Sequence, residues 1–108
     1  MSPISPPSSR VASPISDATL KQAAAIIKCL GHPLRLRLLE ALESGEKTVS
    51  ELRDHAGASQ AAVSQQLGVL RGNDVVDNRR EGAFVYYRII EPKVAHILHC
   101  VRTCDVEE

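Results

Sequence analysis

Aromatic residues are scarce: the chain has no tryptophan, one phenylalanine and two tyrosines among 108 residues. All three rings, Phe84, Tyr86 and Tyr87, fall within one four-residue window, so the rest of the core must be built from Leu, Ile, Val and Ala. That distribution points to a mostly helical fold with one small sheet. Net charge is absent as well. Thirteen Lys plus Arg balance thirteen Asp plus Glu, so the total marks no partner of either sign, and any attraction for a polyanion has to rest on local charge. No run of about 18 apolar residues occurs and no basic segment leads into an apolar one, which argues against a membrane span or an export signal and for a cytoplasmic protein. The three cysteines are an odd count without paired spacing. In a reducing compartment this argues against structural disulfides and leaves inert core thiols or a ligating set. No Ser-His-Asp or phosphate-loop pattern is present, so an enzyme is not expected. What is there is enough for one domain: this length and 44% hydrophobic residues fill a single core.

Residues 1–16 hold four of the six prolines and a single charge, a composition that reads as a disordered arm, and residues 105–108 read as an acidic tail. The domain between them spans 17–104. Its first helix is expected over 17–30, capped by Ser16 or Asp17 and stopped by Gly31-His32-Pro33. From Ala23 to Leu30 only Lys28 is charged, so this helix is apolar nearly all round and needs cover on two sides: its own core and, most simply, a second subunit. Pro33 opens a second helix to about residue 44, with Leu34, Leu38, Leu39 and Leu42 at helical spacing. Thr48-Val49 can form a short strand, after which Ser50 caps a short helix over 51–56 that ends at Gly57. Ser59 caps the next helix, 60–70, with Ala62, Val63, Leu67 and Leu70 as its buried stripe. Two helices joined by a Gly-Ala-Ser turn outline a helix-turn-helix. The period then changes to two: Val75-Val76 and residues 84–89 read as strands around a hairpin tip, 78–82, that carries Arg79 and Arg80. Pro92 opens a last helix reaching about Cys104. The pattern as a whole is a winged helix-turn-helix, mainly α with a small β-hairpin wing.

The second helix of the pair has no charged residue between Gln60 and Leu70. Its outward side offers Gln60, Ser64, Gln65 and Gln66 beside the cap Ser59, amide and hydroxyl groups suited to base edges in the major groove. Cations to position the duplex stand nearby: Arg71 at the helix end, and Arg79 and Arg80 on the hairpin, within reach of phosphate or the minor groove. Gln and Ser on an exposed helix are also ordinary solvated residues. The order of elements favours the DNA reading: short helix, tight turn, polar-faced helix and basic hairpin within about forty residues. A pure dimerisation module would explain the apolar first helix but neither the arginines nor the polar face.

The stretches LGHPLRLRLLEAL, TVSELRDHAGASQAAVSQQLGVLR and NRREGAFVYYRI together resemble the ArsR/SmtB family of small winged-helix repressors. The resemblance implies a homodimer formed by the first and last helices, a palindromic operator read by residues 60–70, and release by an effector bound away from that helix. Two metal patterns of the family are missing. The arsenic-type Cys-x-Cys before the recognition helix is replaced by Val49-Ser50-Glu51-Leu52-Arg53, and His96 and His99 do not fit the zinc-type spacing on the last helix. Cys29, Cys100 and Cys104 remain. Cys100 and Cys104 are four apart, so on an intact helix their Cβ atoms lie roughly 5 to 6 Å apart, too far for a relaxed disulfide but suited to closing on one soft ion. Cys29 sits on a helix expected to pack beside the last one, within a subunit or across the dimer. Three thiolates suit As(III) or Sb(III) as effector. Zn(II) or Cd(II) wants a fourth ligand, available from His96, His99 or Asp105. Thiol redox or persulfide sensing is the other reading, although dithiol relatives place their first cysteine where this chain has Glu40. His32 and His55 read as surface or interface residues. No obligatory cofactor is expected.

Overall fold

The hydroxyl of Ser16 accepts a bond from the backbone N–H of Thr19 at 3.1 Å and so opens the first helix, α1 (Asp17–Leu30). The computed structural model describes residues 13–104; most of the expected disordered arm and all of the acidic tail lie outside the described residues. His32 caps the second helix, α2 (Pro33–Leu42), through its Nδ1, which accepts from Leu34 N–H at 3.2 Å, and Pro33 fills the first helical position, where no N–H is needed. There follow β1 (Lys47–Thr48), α3 (Val49–Ala56), α4 (Gln60–Gly72), the hairpin β2 (Val76–Glu81) and β3 (Phe84–Ile89), and α5 (Lys93–Arg102). The three strands form an antiparallel sheet in the order β1-β3-β2, with Lys47 opposite Tyr87 and Arg79 opposite Tyr86.

The core lies where α2, α3 and α4 meet the base of the hairpin. Leu38, Leu39, Leu52, Val63, Leu67, Leu70, Val75, Val76 and Val94 are all less than 2% exposed, and each such side chain stabilises the fold by about 1.5 to 3 kcal/mol relative to an exposed one. Among the described residues no charged or polar side chain is buried with them. Val75 knits helix to sheet: its N–H reaches Leu70 C=O at 3.0 Å and its C=O accepts from Ile90 N–H at 2.9 Å. The predicted winged helix-turn-helix is the fold observed.

Three local expectations change. The cap of α3 is Thr48, not Ser50: the Thr48 hydroxyl accepts from Glu51 N–H at 3.2 Å while the Glu51 carboxylate accepts from Thr48 N–H at 2.9 Å, a reciprocal capping box two residues earlier. The hairpin tip is shorter than 78–82. Arg79 and Arg80 lie inside β2, and the chain reverses at Gly82, whose φ of 63° lies in the left-handed region that glycine enters without steric cost. The last helix ends at Arg102, so Cys104 follows it on a final turn with its N–H on Val101 C=O at 3.1 Å.

Candidate functional site

Gly57 sets the angle between the paired helices. At φ 66° it closes α3 with its N–H on Arg53 C=O at 2.8 Å, and two residues later Ser59 accepts from Ala62 N–H at 3.1 Å to start α4. Burying Val63, Leu67 and Leu70 turns Gln60, Ala61, Ser64, Gln65, Gly68 and Arg71 to solvent. Gln60, Ser64 and Gln65 therefore stand on the open face as expected, with small Ala61 and Gly68 between them, and Ser59 lies at its end as the cap. Gln66 does not join them: it is half-buried, and its Oε1 accepts from Arg35 Nε at 2.7 Å. Arg71 is the only charged residue of α4 and has Asp77 at 3.9 Å, a loose exposed pair.

The two wing arginines differ. Arg79 is clamped: Nε and Nη2 donate to the Glu46 carboxylate at distances from 2.8 to 3.1 Å, Nη1 donates to Glu81 at 2.9 Å, and the guanidinium lies 4.9 Å over the Tyr86 ring. The bonds to Glu46 and then Glu81 hold the Arg79 pKa further up, and those from Arg79 hold that of Glu46 down. Arg80 is exposed and has no ion-pair or hydrogen-bond partner among the described residues. Of the two side chains expected at the wing for DNA, Arg80 is free to meet a phosphate and Arg79 braces the sheet.

The cysteines also separate. Cys100 and Cys104 are exposed and border one shallow apolar depression of about 290 Å³, together with His96, Ile97 and Val101. Cys29 is 5% exposed and borders a different cavity of about 380 Å³, with Lys28, Arg35 and Val69 among its walls. Burial pushes its thiol pKa up, an effect that the Arg35 charge partly offsets. No group of three or more His, Cys, Asp or Glu side chains close enough to hold a metal ion occurs among the described residues. The expected triad of Cys29, Cys100 and Cys104 is thus not assembled within one chain, because the core takes Cys29 while α5 turns the other two outward. His99 is exposed on α5, and Asp105 lies outside the described residues. His55 binds Glu40 at 3.2 Å, and His32 serves as the α2 cap.

Two side chains important to this geometry, Arg35 and Glu46, carried no local signal in the sequence. Their partners are 31 and 33 positions away, beyond any helical or strand period.

A polar-faced second helix, a tight glycine turn and a hairpin wing define a winged helix-turn-helix DNA-binding protein. Residues 32–78 match the model of the bacterial regulatory proteins of the arsR family. The chain is 40% identical over 82 residues to the biofilm growth-associated repressor of Xylella fastidiosa, covering 76% of this chain and 72% of that protein. Its fold is similar to that of the transcriptional repressor BigR from Xylella fastidiosa, with a TM-score of 0.79 and 36% identity over 85% of this chain and 94% of the other. It is also similar to the antimony-specific transcriptional repressor AntR, with a TM-score of 0.84 and 31% identity over 94% and 93% of the two chains. The chain belongs to the arsR family and is a DNA-binding transcriptional repressor, not an enzyme. No helix of the described residues is long and apolar enough to cross a membrane.

Proposed function

We propose that the protein acts as a homodimer that places α4 of each copy in the major groove of a palindromic operator and is released when As(III) or Sb(III) binds the thiolates of Cys100, on α5, and Cys104, just beyond its end. The observation that carries the effector reading is the pairing of exposed Cys100 and Cys104 on one apolar depression. The similarity to an antimony-specific repressor supports it. A trivalent metalloid takes three sulfurs, and the third comes from the exposed pair of the second copy; Cys29, buried in its own chain, stands outside the site. Exposed Leu20 and Ile27 on α1 and Val101 on α5 support these helices as the subunit interface. In the free dimer the two recognition helices sit about 34 Å apart, one turn of DNA. Ligation across the interface changes that spacing, and a coupling of about 1 to 3 kcal/mol lowers operator affinity 5- to 150-fold.

The test is operator release scored in reducing buffer with arsenite, antimonite, Zn(II) and Cd(II), each against wild type, Cys29→Ser, Cys100→Ser and Cys104→Ser. Release by the metalloids is expected for wild type and Cys29→Ser and lost in the other two. If Cys100→Ser and Cys104→Ser both respond like wild type, the site is elsewhere. The exposure of the same two thiols favours one second reading, an oxidant sensor. That reading requires release by diamide and no response to arsenite under reducing conditions.

A further inference from the structure

Arg35 stands on the first turn of α2, half-buried, and makes two bonds of 2.7 Å: Nη1 donates to the backbone carbonyl of Cys29, and Nε donates to Oε1 of Gln66. One guanidinium therefore joins the C-terminal end of α1 to the middle of α4. The Cys29 carbonyl belongs to the last turn of its helix, where C=O groups lack an intrahelical partner and the helix end carries partial negative charge. A cation fixed there satisfies both. Charged-donor bonds of this kind are roughly twice as strong as neutral ones. Val63, Leu67 and Leu70 decide which face of α4 is buried, but apolar burial is non-directional and leaves the helix some freedom to roll. The Arg35–Gln66 bond is directional and removes it. The same bond turns the Gln66 amide oxygen inward, away from the position it needs for a bidentate contact to adenine.

We infer that Arg35 is the positioning residue of the recognition helix: through Gln66 it sets the roll of α4 against the end of α1. A shift of α1 is thereby delivered to the base-reading side chains Gln60, Ser64 and Gln65. The roll-setting part stands on the bonds alone; its use in effector release rests on the dimeric, α5-ligated reading proposed above. Gln66 then serves to hold the helix instead of reading a base.

The experiment is a double-mutant cycle on operator affinity with Arg35→Met, Gln66→Met and the pair, measured over a salt series and on operators changed one base pair at a time. Each single variant is expected to weaken operator binding about 3- to 30-fold, the double variant no further, with the same salt slope as wild type because no phosphate contact is lost. The loss is expected at every operator position alike. Thermal melts confirm folding, and Arg35→Lys, which keeps the charge on a single donor nitrogen, should recover part of the affinity if Arg35→Met loosens α1. Additive losses, or a Gln66→Met defect confined to one base pair, overturn the inference and return Gln66 to the reading set. With arsenite added, Gln66→Met should show a smaller release factor than wild type; an equal factor overturns the delivery of α1 movement. If wild type itself is not released, the effector reading fails while the apo cycle still decides the role of Arg35.

Discussion

On α4 the apolar stripe Val63, Leu67 and Leu70 is fully buried and every exposed position is polar or small, whereas α1 and α5 turn Leu20, Ile27 and Val101 outward at 48%, 66% and 47% exposure. The first surface is complete in water and suits a polar partner such as base edges. The second leaves apolar area wet, a state that a further copy of the chain relieves. The two thiols proposed to take the effector lie on this second surface, and the bond from Arg35 is the polar connection from its α1 side to the first. Reading and sensing thus occupy different faces and communicate through packed elements.

The strongest test of this contrast is Leu67→Ala. A side chain with 0% exposure is removed from the reading half, so the fold should lose about 2 to 5 kcal/mol in chemical denaturation. Ile27→Asp is its counterpart. At 66% exposure it should leave the stability of the single chain within about 0.5 kcal/mol, yet weaken self-association about 30-fold or more in sedimentation equilibrium, with loss of operator binding in parallel. An Ile27→Asp protein that still dimerises removes α1 from the interface. Next in size is the wing. Arg80→Ala should flatten the dependence of log affinity on log salt by about 1.8, the signature of one lost phosphate contact in each of the two copies, while Arg79→Ala weakens binding by loosening the Glu46 brace without that change in slope. Equal slopes for both variants would mean that the clamp opens on DNA.

The smallest effect concerns the join between α2 and α5, where the Arg102 guanidinium bonds to the Glu43 carboxylate and holds its pKa down. A carboxylate whose pKa is lower folded than unfolded contributes stability above its ordinary value of about 4.3, and that contribution is lost as the pH falls through the folded value. Glu43→Gln should therefore cost less than about 1 kcal/mol at neutral pH and nothing at low pH, measured as denaturation midpoints across the acid range. A constant difference at all pH values would assign the loss to packing.

Much of the reading half was legible because its signals are local. Gly57 and Ser59 mark the turn and the start of α4 by their own backbone and hydroxyl chemistry, and Val63, Leu67 and Leu70 repeat at the helical period. The errors there were also local, one cap placed at Ser50 when Thr48 had Glu51 three residues on, and one hairpin tip drawn too wide because the arginines look like loop residues. The sensing half was less legible. Spacing put Cys100 and Cys104 together, which the shared depression supports, but it could not tell that Cys29 is buried in the core, away from that depression.

The sequence alone determined the element order, the buried stripes and an uncharged reading helix, since each follows from periods of two or 3.6 residues and from turn chemistry within a few positions. Only the tertiary structure decided which polar side chains are free. It gave Arg79 to Glu46, Gln66 to Arg35 and Cys29 to the core, and left Arg80, Gln60, Ser64, Gln65, Cys100 and Cys104 on the surface. The reason is range: these partners meet across more than thirty residues of chain, and a contact made by chain folding leaves no trace in the spacing of either member.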